Sequence, residues 1–597
     1  MLDDLTSSLG VPKTLEDRTL CRVAPNRNVV REDGKNQARF VLYLPTVLLR
    51  KRQNPAFALA CRIANFYQVP LIVLCTILDD QHLTREPLKP ICMTARRLCF
   101  TIEALQSCAV EWEKHGAGVA VRIHGPGARR PHHLTLARHA VSVVCDEPFV
   151  EPFRTYVRRV VNSCRASNIP CFSVDGSTTV PPKSVLRALN ESPVPGDRCF
   201  EGVPTKAWIW EKQTSLSRIQ HVNSALKDHE LDAPPLQVKL PTNFFMQYLS
   251  ECDAMKMVTE VMPSEWNVGT PCPGDRPWTV EELLLVNPNE WVMTSWPGAD
   301  RTVPPCKQTS GSFVEAEKRW RRFVEHGLKD YAKHRNQITL PNAVSRISCY
   351  LNLGILSIFE VVSDVWKAKS NRGYSAGCNK FLVELIKWRE IGYVHSFATP
   401  GYINAAEVIP DWAYKSLQGK RNSSQDGAYT WEQLETGTTS DENWNAMQRY
   451  LIETGELHNN ARMPWGKTVV HWQSNDLSPE EVLWQLVQLN DRFALDGLSP
   501  PSYAGILWCF GWDDKPGSGG TVKTKWASRY RYGPSDFDQA KNSLYGNRML
   551  TWLQKRELPK DGDNNTTSSK KSRPSQDITP ERVRYFDPGN VVKIISP

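Results

Sequence analysis

Tryptophan is the residue type that first suggests chemistry in this sequence. Twenty of the 597 residues are tryptophan, roughly twice average usage, and an indole is costly to place unless it packs, stacks or carries electrons. Three of them fall in one short segment. Trp465 and Trp472 stand two helical turns apart, roughly 10 Å along one axis, and Trp444 lies on the helix before the Gly455 turn. The same stretch holds Arg462 and Asp496, a pair suited to steadying a developing negative charge, and Asn490, an amide that can donate or accept. Met463 and Trp508 add soft and aromatic surface. Such a set reads as a redox site. Taken singly, each tryptophan is more often core and the Arg–Asp pair more often structural, so the argument lies in their conjunction.

Two further segments carry chemistry. Ser345-Arg346-Ile347-Ser348, with Tyr331 upstream, offers small hydroxyls, a cation and free backbone N–H groups at a helix start, which suit a phosphate. As an isolated motif it is weak. The amphipathic run 381–390 places Glu384 and Trp388 at i and i+4, on one face. Its plain reading is a salt-bridged face with one packed indole, in which Arg389 and Glu390 are structural.

Together these residues resemble the flavin-binding half of the photolyase and cryptochrome family. The run Leu489-Asn490-Asp491-Arg492-Phe493-Ala494-Leu495-Asp496-Gly497, followed by Ser502-Tyr503-Ala504-Gly505-Ile506-Leu507-Trp508, is most similar to the class II branch, the class II cyclobutane pyrimidine dimer photolyases. The resemblance implies FAD as cofactor, held by Tyr331, Ser345, Arg346, Ile347, Ser348 and Asn459. It also implies an Arg462–Asp496 salt bridge against the isoalloxazine ring and Asn490 facing its N5. Trp444, Trp465 and Trp472 match the chain that carries electrons inward. Glu384 would hydrogen-bond damaged bases, with the dimer between Trp388 and Trp508 and Met463 beneath. The implied activity is light-driven splitting of cyclobutane dimers in UV-damaged DNA. An antenna, a deazaflavin or a folate, is implied by the same likeness, and no residue identifies it. A cryptochrome-type photoreceptor without repair and a flavin-free nucleic-acid-binding scaffold stay open as alternatives. The sequence departs from the family at Cys349, Asn352-Leu353, Asn459-Asn460-Ala461, Pro501-Ser502 and the insertion 513–523.

The elements that must position these residues fall into two kinds. Short β-branched runs at 40–44, 71–75, 119–124, 141–146 and 171–174 alternate with helical periodicity at 55–67, 93–114 and 151–166, the order of a doubly wound parallel sheet. His124, Gly125, Asp146 and Asp175 fall at the strand ends where such sheets bind ligands, although all four suit turns equally well. From 313 onward helical periodicity dominates. The expected architecture is an α/β N-terminal domain plus an all-α C-terminal domain that, by the resemblance, binds FAD. The divisions are an extension over 1–35, an α/β domain over 36–185, a connector over 186–312, a helical domain over 313–556 and a polar, partly disordered tail over 557–597. Residues 419–427 read as an exposed connector. The tail carries Lys570-Lys571-Ser572-Arg573, a basic cluster of a kind that is common by chance.

Composition bounds the rest. No apolar run approaches the roughly 20 residues that cross a bilayer, and the acidic start MLDDLTSSLG lacks a secretory n-region. An intracellular protein of nucleus or cytoplasm, away from membranes and monomeric, is expected. The 16 cysteines include no C-x-x-C pair and the 13 histidines no ligand spacing, so no metal or iron–sulfur cluster is expected. A net charge of +9 permits a polyanionic partner without requiring one.

Overall fold

Five strands pair in parallel because their residues are apolar on both faces, which only a sheet covered by helices on both sides can bury. The computed structural model describes residues 9–25, 40–78, 93–123, 131–191, 199–200, 203–204, 215–242, 277–296, 299–399, 408–419, 428–512, 516–517, 520, 522 and 531–545. A short helix, α1 (Lys13–Arg18), leads into β1 (Thr19–Val23). The parallel strands follow as β2 (Val41–Leu44), β3 (Leu71–Ile77), β4 (Gly118–Ile123), β5 (Ser142–Asp146) and β6 (Cys171–Val174). The sheet order is β1-β6-β5-β2-β3-β4. Strand β1 runs antiparallel to β6, pairing Thr19 with Val174, so the segment read as an extension supplies the sheet's edge.

Successive residues feed opposite cores. Phe40, Leu42, Ile72, Leu74 and Val143 pack with residues of α4 (His132–His139) and α5 (Phe153–Ala166). Val41, Tyr43, Val73 and Val121 face α2 (Pro55–Tyr67) and α3 (Ala95–Lys114), in a core that runs without a break into Trp320, Phe381, Trp444 and Trp465. The sheet and the helical half therefore share one hydrophobic interior, and Met1–Tyr545 forms one compact unit.

The crevice at the strand ends is occupied by the chain itself. Asp146 accepts from the N–H groups of Thr46, Val47 and Leu48 at 2.7, 2.9 and 3.0 Å and from the Tyr43 hydroxyl at 2.8 Å. Asp175 accepts from Ser177 N–H at 2.8 Å and pairs with the buried Arg18 at 3.5 Å. These carboxylates organise turns, while His124 and Gly125 lie outside the described residues. The segment read as a connector over the surface is partly core: Trp278 bridges Val121 of β4 and stacks on Trp291, which stacks on Trp296. The 513–523 insertion, the 419–427 connector and the basic tail lie largely or wholly outside the described residues.

The helical half positions the site. Its relevant helices are α6 (Phe313–His326), α7 (Glu442–Thr454), α8 (Asn459–Trp472), α9 (Pro479–Phe493) and α10 (Pro500–Cys509). Asp441 caps α7 by accepting from Asn443 and Trp444 N–H, and Gly455 ends it at φ 72°, the left-handed region that glycine enters freely. A Ser478–Glu481 capping box with Pro479 starts α9. Two buried arginines of α3 tie these helix ends to the first half. Arg96 donates to Phe493 O at 2.7 Å and to Ile452 O, and Arg97 to Asp491 O at 2.8 Å and Ala494 O at 2.9 Å. They satisfy carbonyls that a helix C-terminus leaves unpaired.

Candidate functional site

A cavity of about 270 Å³ opens between α8, the loop after α9 and the segment 331–349. Tyr331, Ser345, Arg346, Ser348, Asn459, Arg462, Asp496 and Glu384 line it. Ile347 is buried behind the wall at 2% exposure, and Asn490 is buried one turn from Asp496. The helix that follows Arg346 spans only Ser348–Asn352, so its end contributes little field, and the polar side chains are the donors the cavity offers.

The strongest charge in the cavity is one the motifs did not reveal. Glu456 takes Arg346 Nε at 2.6 Å and Nη2 at 2.8 Å, and Arg319 of α6 at 3.1 Å. Burial would push its carboxyl up, but the two guanidiniums outweigh that and hold it at about 2. Arg346 adopts φ 55° to reach this position, a backbone cost that a bidentate ion pair offsets. His458 is fixed as one neutral tautomer. Its Nε2–H donates to Arg335 O at 2.6 Å, its Nδ1 accepts from Asn460 N–H at 3.1 Å, and burial lowers its pKa to about 4. The missed signal was simple: each buried arginine needs a carboxylate, and Glu456 stands beside the Gly455 turn.

Arg462 and Asp496 meet at 2.8 and 3.2 Å. Asn352, where the family pattern differs, braces this pair by donating to Asp496 O at 3.0 Å and Ser499 Oγ at 2.8 Å. Asn490 donates to Asp491 Oδ1 and Ser502 Oγ, each at 2.9 Å.

The three tryptophans come together in a file. Trp465 is 1% exposed and Trp444 fully buried. Trp444 Nε1–H donates to Trp465 O at 3.1 Å, and its ring stands 5.7 Å from that of the partly exposed Trp472. Two partners were not read from the sequence. Gln448 Oε1 accepts from Trp465 Nε1–H at 2.9 Å, and Tyr429 packs on Trp472 at 4.8 Å. Neither stands out, because a glutamine on a helix and a tyrosine near a loop are ordinary in composition.

Glu384 and Trp388 share a face, but the turn that carries them is a π-helix, Val383–Arg389, inside an otherwise α-helical run, a distortion common at functional sites. Arg389 donates to Ser177 O at 2.9 Å and buried Glu390 accepts from Thr179 N–H at 2.7 Å, so both anchor the helix to the sheet. Glu384 pairs with Arg335 at 3.0 Å and Lys380 at 2.6 Å. Trp388 and Trp508 touch edge to face, centroids 4.9 Å apart at 76°. No interplanar gap exists between them, contrary to the expectation that a dimer would lie between two facing walls. The rings form a corner instead, with Met463 Cε against Gly505 one turn before Trp508. Trp508 Nε1 is buried without an acceptor among the described residues. None of the described residues form a group of three or more His, Cys, Asp or Glu placed to hold a metal. Among those residues, no helix is long and apolar enough to cross a membrane.

Comparison with known proteins adds the following. No family model matches the chain. The deoxyribodipyrimidine photo-lyase of Arabidopsis thaliana is 32% identical over 200 residues, 32% of this chain and 39% of that protein. That of Methanothermobacter thermautotrophicus is 30% identical over 212 residues, 35% of this chain and 43% of that protein. The matched stretch spans about two fifths of these relatives' length. Among solved structures, a class III photolyase from Agrobacterium tumefaciens superposes with a TM-score of 0.50 at 16% identity, covering 88% of this chain and 89% of that one. A Synechocystis cryptochrome does so with a TM-score of 0.53 at 14% identity, covering 85% and 88%. By partial sequence likeness and by fold, this chain is a relative of the photolyase/cryptochrome family.

Proposed function

We propose that this protein is a class II-type photolyase, a monomeric flavoprotein that uses light to split cyclobutane pyrimidine dimers in UV-damaged DNA. One observation carries the reading: Glu384, on the same helix face as the Trp388–Trp508 corner, is also part of the cavity wall. A lesion seated at the corner is then one carboxylate away from whatever fills the cavity.

FAD suits the residues present. Among the described residues, the Ser345, Ser348 and Asn459 side chains line the cavity without hydrogen-bond partners, leaving them to a ligand rich in phosphate and hydroxyl groups. In this reading 313–556 holds FAD and 36–185 is the antenna-type domain, for which no chromophore-binding residue is assigned. When bound, reduced FAD supplies the light-driven electron that opens the cyclobutane ring. Arg346, Ser345 and Ser348 would hold its phosphates, and Arg462, braced by Asp496, would steady negative charge on its ring. Trp472, Trp444 and Trp465 relay electrons from the surface. Glu384 accepts from base N–H groups, Trp388 and Trp508 give π surface to flipped bases, and Met463 fills the floor. Such stacking offsets the few kcal/mol that unstacking a base costs.

A second reading, a cryptochrome-type photoreceptor, is favoured by the closed state of the corner: two cations engage Glu384 and the two indoles are in contact. Full-length protein with bound flavin separates the two. A photolyase binds a dimer-containing oligonucleotide more tightly than its undamaged match. A photoreceptor shows no such preference.

A further inference from the structure

We propose that Asp491 and Ser502 are positioning residues that lock the Asn490 amide, so that its carbonyl oxygen and never its NH2 group is turned to the cofactor. The inference rests on the reading that FAD fills the cavity. An amide has two faces of opposite hydrogen-bonding sense, and nothing in an isolated asparagine chooses between them. Here both N–H groups of Asn490 are committed, to Asp491 Oδ1 and Ser502 Oγ at 2.9 Å each. Among the described residues no donor reaches its Oδ1.

Asp491 enforces the choice. It accepts from the Tyr503 hydroxyl at 2.6 Å and from Leu498 N–H at 2.9 Å, with the Arg97 guanidinium close by. Burial favours the protonated acid, but three converging donors and a cation require an acceptor. A carboxylate that only accepts must meet the NH2 end of its neighbour. Gly497 lets the loop close over this carboxylate, since a Cβ there would stand 2.7 Å from Asp491 Oδ1. Ser502 supplies the second acceptor from α10, so two helices fix one amide.

The consequence is electronic. A carbonyl oxygen at flavin N5 favours the ring with a proton on N5, the reduced form, whereas an NH2 group there would favour the unprotonated, oxidised ring. The lock therefore raises the midpoint potential of the bound flavin.

Spectroelectrochemical titration of the full-length holoprotein tests this. Ser502→Ala and Asp491→Asn should both retain FAD and both titrate at lower potential than wild type. For Asp491→Asn the sign discriminates, because losing a buried negative charge without releasing the amide raises the potential. On an Asn490→Ala background, Ser502→Ala should shift nothing further. The proposal is overturned by an unshifted Ser502→Ala, by a raised potential in Asp491→Asn, or by an equal Ser502→Ala shift with Asn490 absent. Wild-type protein that neither carries nor takes up FAD overturns the cofactor reading itself, and the dark absorption spectrum reveals that before any titration.

Discussion

Trp444 donates its indole N–H to the backbone carbonyl of Trp465 at 3.1 Å while its ring stands 5.7 Å from that of Trp472. It is therefore the middle member of the file, in contact with one neighbour through the backbone and with the other through its ring. Order follows from burial, with Trp465 inside and Trp472 partly exposed.

Trp444→Phe and Trp465→Phe should each sharply slow flavin photoreduction under illumination, followed by loss of the oxidised flavin band. Repair by chemically pre-reduced enzyme should stay near wild type. Trp472→Phe should slow photoreduction less, because Tyr429 packs at the same end of the file. Equal rates in wild type and Trp465→Phe would remove the tryptophans from the electron path.

Glu456→Gln should destabilise the protein by about 3 kcal/mol, the scale of breaking one partner out of a buried ion pair. The folded carboxyl sits at about 2 against an ordinary 4.5. This stabilisation is complete above about pH 4.5 and is lost as pH falls toward 2. Urea unfolding across that range should show a wild-type acid slope that Glu456→Gln lacks.

Much of the fold is legible in the sequence because both-face burial leaves a plain trace. The β-branched runs at 41–44, 71–77 and 171–174 are strands, and Asn54 and Pro55 mark a helix start by ordinary capping chemistry. Strand β1 was hidden because Thr19–Val23 reads as a polar, charged edge and pairs with β6, far along the chain. The candidate site was legible where residue type and spacing coincide, as at Trp465 and Trp472 on one helix. It was not legible where partners are long-range and individually plain. Glu456 with Arg319, Gln448 with Trp465, and the π-turn under Glu384 arise from tertiary packing that no local pattern encodes.

Acid should also weaken the protein above the Glu456 range. His458, His395 and His471 are held at about 4 by burial, against an ordinary 6.5. The unfolded chain binds these protons first, so stability is full above about pH 6.5 and falls between there and pH 4. Each histidine contributes a slope of about 1.4 kcal/mol per pH unit. Thermal unfolding of His458→Gln should show a shallower pH slope than wild type between pH 7 and 5.

Glu384→Gln should leave the flavin bound, since the carboxylate contacts Arg335 and Lys380 at the cavity wall rather than holding the cavity closed. Dimer repair should fall about tenfold or more, the worth of one charge-assisted hydrogen bond of about 1.5–3 kcal/mol. Unchanged repair with an intact flavin spectrum would assign Glu384 to the ion cluster alone.

The most direct measurement is light-dependent dimer loss. Purified full-length protein with bound FAD is reduced, mixed with an oligonucleotide carrying one cyclobutane thymine dimer, and illuminated with near-UV or blue light beside a dark control. The account predicts turnover of the dimer to two thymines in the light alone. Bound, photoreducible FAD with no dimer loss would contradict it and leave the photoreceptor.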